Sequence, residues 1–324
     1  QACSLRRVVV DGDLELFGTY HGGIAGYASG GFMGDVVVAG TANSGSQQQF
    51  MARNCRFGRW QGGVWNMVFT GCTNAPDTHC NATGDTQPFS TTAATPAIAE
   101  KPFVAYVDSR FFLAVPQLAQ GVSGVIHEQQ APPPLIDFSS VYVTSPNDTS
   151  ATMNAALDAG LHMLITPHIY QLDEPLRVSH PNQVIRGLGY ATLVSGNGMP
   201  CIEVANVDGV RVSGVLLQAG VSGAAVLLRW GDGSYAGNAS NPGFVHDLSV
   251  RVGGPTNSLH VSIKVGTLVE ILSGNVVLDN VWLWRADHDV GGVVKDQRNP
   301  VRNGLVVKGD DVTAYGLAVE HMLG

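Results

Sequence analysis

The stretch NVWLWRADHDVGG, Asn280 to Gly292, sets Trp282 and Trp284 at alternate positions and follows them with Arg285, Asp287, His288 and Asp289. Indole rings offer an apolar plane to the C–H face of a sugar ring, while carboxylate and imidazole groups hold or move protons near neutral pH. In a strand, alternate positions share a face, so the two tryptophans point one way while Val281 and Leu283 point the other. Only one pair can enter a core. If the aliphatic pair is inside, the stretch is an aromatic surface beside titratable groups; if the tryptophans are inside, it is packing.

Internal similarity decides between these. SGVLLQAG, HDLSVRVGG, DNVWLWRADH and YGLAVEHMLG align without gaps when Val215, Leu248, Val281 and Leu317 are matched, at spacings of 33, 33 and 36 residues. Such a period, with about three short strands per repeat, is that of a parallel β-helix whose coils stack in register about 4.8 Å apart. The matched positions, and Leu217, Val250, Leu283 and Val319 two residues on, are all aliphatic and form the inward ladder. Trp282 and Trp284 therefore face outward. Gln218, Arg251, Trp284 and Glu320 then share one outward column, and Leu216, Ser249, Trp282 and Ala318 its neighbour. Trp282, Trp284, Arg251 and Gln218 are the candidate sugar-binding residues, rings against sugar faces and amide and guanidinium groups on hydroxyls. The alternative is a column covered by a loop, with Arg251 and Glu320 as a structural ion pair.

The composition narrows the partner. Gly 40 and only 14% charged residues in 324 suit a turn-rich β protein better than a helical bundle. A net charge of -8 with no Lys/Arg run argues against nucleic acid and anionic membrane and favours a neutral ligand. No apolar run reaches the roughly 18 to 20 residues of a membrane span. The opening QACSLRRVVVDGD has neither Met nor signal peptide and reads as a processed or excised piece. Cys72 and Cys80 flank the polar loop TNAPDTH and are expected to form a disulfide; sequons lie at Asn81, Asn147 and Asn238. Together they predict a secreted or extracellular glycoprotein. With no CxxC pair and no HExxH, neither a metal site nor a cofactor is expected. Cys201, in the apolar run MPCIEV, reads as a buried thiol.

Short apolar strands divided by Gly, Asn and Asp dominate both ends of the chain. The predicted fold is all-β, a right-handed parallel β-helix of the pectin-lyase type in two parts. Residues 1–90 form a partial first β-helix, 91–145 a connecting hairpin and linker, and 146–324 a second β-helix with an N-terminal capping helix. KPFVAYVDSRFFLAVP reads as a hairpin turning at Asp108 and Ser109, and Pro132 to Pro134 as a linker. SPNDTSATMNAALDAG is the one convincing helix, Ser150 to Ala159, with Asp148, Thr149 or Ser150 as its cap and Gly160 as its stop. RGLGYATL lacks the third glycine and the helix of a dinucleotide fingerprint.

DNVWLWRADHD, RNGLVV and TAYGLAVEH resemble the second β-helix of glycoside hydrolase family 55, the exo-β-1,3-glucanases, and related bacterial secreted proteins. That family runs E-N-V/M-W-L-W-x-A-D-H-D and, later, W-L-Y-G-T-A-S-E-H. The resemblance implies an inverting exo-hydrolase of β-1,3-linked glucose polymers, and β-glucan as the polysaccharide partner. The Glu of its S-E-H stretch positions the attacking water and carries over to Glu320; Val319 replaces the Ser before it. The proton donor of the family is a Glu about two dozen residues further on, so the 324-residue chain contains no match for it and alone is expected to be almost inert.

An inverting glycosidase needs two carboxyl groups roughly 6.5 to 9.5 Å apart, one acidic and one basic. Within the chain Asp287 and His288 are the further catalytic candidates beside Glu320; Asp287 can equally fix His288 or a turn. Asp310 and Asp311 read as turn residues. A non-catalytic extracellular structural or sugar-binding glycoprotein on the same scaffold is the competing reading. A polysaccharide lyase would need a Ca²⁺ cluster or a basic cleft for uronates, against which the net acidity counts.

Overall fold

A computed structural model describes residues 4–20, 24–25, 29–45, 49–62, 66–79, 88–253, 261–288 and 292–323. It is an all-β fold of parallel coils, divided into two compact units. Gln1–Glu100 with Pro116–Pro134 make the first, and Lys101–Val115 with Leu135–Gly324 the second. The stretch 91–145 is thus shared between them.

In the first unit the strands Ser4–Arg6, Gly31–Gly34, Gln49–Arg53, Asn66–Thr70 and Phe89–Thr92 form one parallel sheet. Val37–Asn43 and Arg56–Gln61 belong to a second, also parallel. Between the sheets lies an aromatic core in which Trp60 packs edge-on against Phe57 and Phe69 at 5.1 and 4.9 Å. Arg53 is wholly buried and paired with the equally buried Glu100, which removes the cost of either charge standing alone in the interior.

The second unit is the longer coil. Its largest sheet runs through Val141–Val143, His162–Ile165, Val184–Gly187, Arg211–Ser213, Gly243–Val252, Val276–Arg285 and Thr313–Glu320, and a branch of Ile169–Leu172, Thr192–Ser195 and Leu216–Gln218 joins it at Gly243–Val252. A further sheet holds Leu176–Val178, Ile202–Val204, Ala224–Trp230, Val265–Ile271 and Val301–Val307, every pair parallel. Each coil turns a corner on a left-handed residue: Gly214, Asp247, Asn280 and Gly316 have φ of +64°, +46°, +66° and +65°. Those corners repeat at 33, 33 and 36 residues, the spacings of the sequence alignment. Asn and Asp tolerate this conformation because their short side chains bond locally; here Asn280 Nδ2 donates to Asp247 Oδ1 at 2.8 Å, and Lys101 closes an ion pair on the other Asp247 oxygen.

The inward ladder is as expected through three rungs. Leu248 pairs with Val281 and Val250 with Leu283, all 1% exposed or less. Leu317 and Val319 hold the next rung in register but are 39% and 44% exposed, since no described strand lies beyond Thr313–Glu320 to cover them.

The helix spans Ser150–Asp158. Thr149 is its cap, its hydroxyl accepting from Thr152 N at 3.2 Å, and Gly160 at φ +79° ends it as Leu161 N returns to Ala156 O. Met153 and Leu157 are buried in the coil core, so the helix caps the stack. The hairpin Phe103–Val107 with Arg110–Ala114 turns on Asp108 and Ser109, both at positive φ, the pairing of a type I′ turn.

Candidate active site

Backbone register brings the column together. Gln218 pairs with Arg251, Arg251 with Trp284, and Trp284 with Glu320; Leu216, Ser249, Trp282 and Ala318 follow beside them. Trp282 and Trp284 turn away from the coil interior, yet they do not form an open platform. Their rings stack on one another at 4.8 Å, and the Arg251 guanidinium lies over Trp284 at 4.9 Å. The His288 ring stands against the same indole at 5.0 Å. Of the four candidate binding residues, Trp284 is consequently 7% exposed, Gln218 is buried with Nε2 donating to Ala219 O, and Trp282 and Arg251 are half-buried. Alternation fixed the direction of these side chains; their lateral stacking, which no spacing rule encodes, covered them. Trp284 stands between Arg251 and Glu320 in the column, so the ion pair considered as an alternative is not made.

Asp287 is the hub at the end of this strand. Its Oδ1 accepts from Trp284 Nε1 at 3.2 Å and meets His288 Nδ1 at 2.7 Å, and its Oδ2 lies 3.3 Å from His321 Nε2. Partial burial opposes its charge, but the bonds from His288, the backbone and Trp284, with the neighbouring His321, outweigh that and hold the carboxyl below its usual range. Asp287 is thus an ionised anchor that orients two imidazoles and an indole. His288 is exposed, held at one ring nitrogen.

Glu320 is half-buried, and its carboxylate has no partner among the described residues. A carboxylate kept beside aromatic surface without a bonding partner can accept a proton from water or a hydroxyl. Trp282 Nε1 is likewise buried without a partner among the described residues, an unmet donor beside that carboxylate's column.

Two residues escaped sequence reasoning. Arg285 is buried and donates to the carbonyls of Val294, Arg298, Asn299 and His321, locking the 294–299 loop and the end of the last strand in place. His321, at φ +63°, is carried by that lock to Asp287. Both stand inside the motifs WLWRADH and VEH, which gave no sign of these structural roles. Asp289 lies outside the described residues.

The expected Cys72–Cys80 bond is not formed. Cys72 is a free thiol whose sulfur turns to the carbonyl of Ala52 in the preceding coil and to that of Thr70 two residues back; Cys80 lies outside the described residues. Cys201 is a buried thiol, as expected. Of the sequons, Asn147 is exposed, Asn238 is half-buried with Nδ2 on Asp208 and Oδ1 on Ser240 N, and Asn81 lies outside the described residues. Among the described residues no group of three His, Cys, Asp or Glu side chains is placed to hold a metal ion, and no helix is long and apolar enough to cross a membrane.

Parallel coils stacked in register, with a carboxylate and a tryptophan pair on two neighbouring columns and an aspartate–histidine cluster at the strand's end, define a parallel β-helix protein. The profile of the LAM55 pectate lyase-like domain matches residues 141–324, and the chain belongs to that family, the glycoside hydrolase family 55 type of β-helix. An exo-beta-1,3-glucanase of Streptomyces sp. SirexAA-E is 37% identical over 326 residues, 99% of this chain and 51% of that protein. Two structures of sacteLam55A from the same organism superpose with a TM-score of 0.87 at 35% identity; one is a variant in complex with glucose. Each covers 97% of this chain and 55% of the other. The chain spans about half the length of these relatives.

Proposed function

We propose that this chain is the β-glucan-handling β-helix portion of a secreted inverting exo-β-1,3-glucanase. The observation that carries the proposal is the in-register column ending on Glu320, a carboxylate without a partner among the described residues, beside stacked tryptophans. Likeness to a named exo-beta-1,3-glucanase over almost the whole chain supports the same reading. In it, Glu320 draws the proton from the attacking water, and Asp287 keeps His288 and His321 oriented at the rim. The half-buried ring of Trp282 meets the apolar face of a glucose ring. A polymer too large to enter a cell is consistent with action outside it.

Calorimetry with a soluble β-1,3-glucan tests the binding half of this reading. Trp282→Ala removes the aromatic surface and should weaken binding about 10-fold, the worth of roughly 1.4 kcal/mol of lost apolar contact. Equal affinity in both forms, or the same heat with an α-glucan, would favour a sugar-independent scaffold.

A further inference from the structure

Cys55 and Cys72 occupy the same corner of two successive coils in the first unit. Each follows a left-handed residue, Asn54 at φ +53° and Gly71 at φ +61°, and the residues after them, Arg56 and Thr73, are parallel bridge partners. Thr73 N donates to Cys55 O at 2.8 Å, and Cys55 N donates to Cys72 Sγ at 3.4 Å, so the two backbones are locked side by side. Each thiol turns to backbone carbonyls, Cys55 Sγ to Arg53 O and Cys72 Sγ to Ala52 O, both at 3.4 Å. Adjacent strands lie about 4.8 Å apart, within the range of roughly 4.4 to 6.8 Å that Cα atoms keep across a disulfide. Cys72 is partly exposed, whereas Cys55 is wholly buried.

We propose that Cys55 and Cys72 form a reactive dithiol that closes to an inter-coil disulfide when it meets a peroxide. The Cys72 sulfur attacks one peroxide oxygen, the O–O bond breaks, and the departing hydroxide takes the thiol proton as water, leaving a sulfenic acid. The Cys55 sulfur then attacks the Cys72 sulfur, the S–O bond breaks, and the second hydroxide leaves with the Cys55 proton as water. Two thiols are oxidised and one hydrogen peroxide is reduced to two waters. The order follows from the surroundings. Burial opposes a Cys72 thiolate, but the adjacent Cys55 thiol and backbone N–H and the nearby Arg53 charge draw its pKa below the ordinary thiol value, while burial and the neighbouring Cys72 push Cys55 well up. Cys72 is thus the attacking sulfur and Cys55 the resolving one.

The test treats the 324-residue chain with hydrogen peroxide and maps it without reduction after trypsin and Asp-N, which cuts before Asp77 and separates Cys72 from Cys80. The wild type should lose about 2 Da, with Asn54–Arg56 joined to the Cys72 peptide. Cys80→Ser should leave that link intact, Cys72→Ser should abolish it, and Cys201 should stay alkylatable. A Cys72–Cys80 link, or Cys72 gaining about 32 Da as sulfinic acid while Cys55 stays alkylatable, would overturn the proposal. The wild-type map decides the matter even if a variant fails to fold.

Discussion

At the residue scale the site separates groups that anchor from a group free to react. Asp287 is committed three ways, to Trp284, His288 and His321, whereas the carboxylate of Glu320 is uncommitted among the described residues. The anchoring has a pH signature. A carboxyl held below its ordinary value in the folded state stabilises the fold above the unfolded pKa of about 3.9 and loses that contribution as pH falls through the folded value. Urea unfolding should therefore show Asp287→Asn less stable than wild type by a constant margin above about pH 5, with the margin shrinking below about pH 4. A margin that grew toward acid would mean that Asp287 is not an ionised anchor. The types and order of these residues were legible in WLWRADHD and VEH, and Glu320 stood out by its column. What was not legible was which side chains would cover one another. The stacking of Trp282, Trp284 and Arg251 depends on rotamers, and the lock at Arg285 reaches carbonyls in a loop of irregular sequence.

At the element scale the coil rests on corners and ladders. Asn280 holds φ +66° and bonds Asp247, so Asn280→Ala should lose both the local tolerance and the bond and cost about 1 to 2 kcal/mol in thermal or urea unfolding. Asn280→Gly restores the backbone freedom and should recover part of that loss. Equal losses for Ala and Gly would show that the bond alone matters. In the ladder, Leu283 is fully buried between Val250 and Val319, and Leu283→Ala should cost about 2 to 5 kcal/mol through lost burial and the cavity left behind. A smaller change would mean a loosely packed coil. The spacing of 33, 33 and 36 residues predicted these strands and their pairing partners because stacking in register repeats one pattern of sides per coil. The first unit was less legible: its corners at Asp35, Asn54 and Gly71 are closer together, its strands shorter, and its core aromatic instead of aliphatic. The Cys72–Cys80 expectation failed there because proximity along the chain was weighed without the stacking that sets Cys72 on Cys55.

At the scale of the whole molecule, a β-helix belonging to the LAM55 family carries Glu320 in a chain spanning about half the length of its relatives. In the proposed reading Glu320 is the base, and general-acid help at the leaving oxygen is worth roughly 10²- to 10⁴-fold, so the reaction is to be measured in a protein of the relatives' full length that carries these 324 residues. The direct test is NMR of the first-formed anomer when that protein acts on β-1,3-glucan, beside its Glu320→Gln variant. The account predicts glucose released as the α-anomer, inverted from the β-linkage, with release cut at least about 100-fold by Glu320→Gln. β-Glucose as the first product, or full release with Gln at position 320, would contradict it.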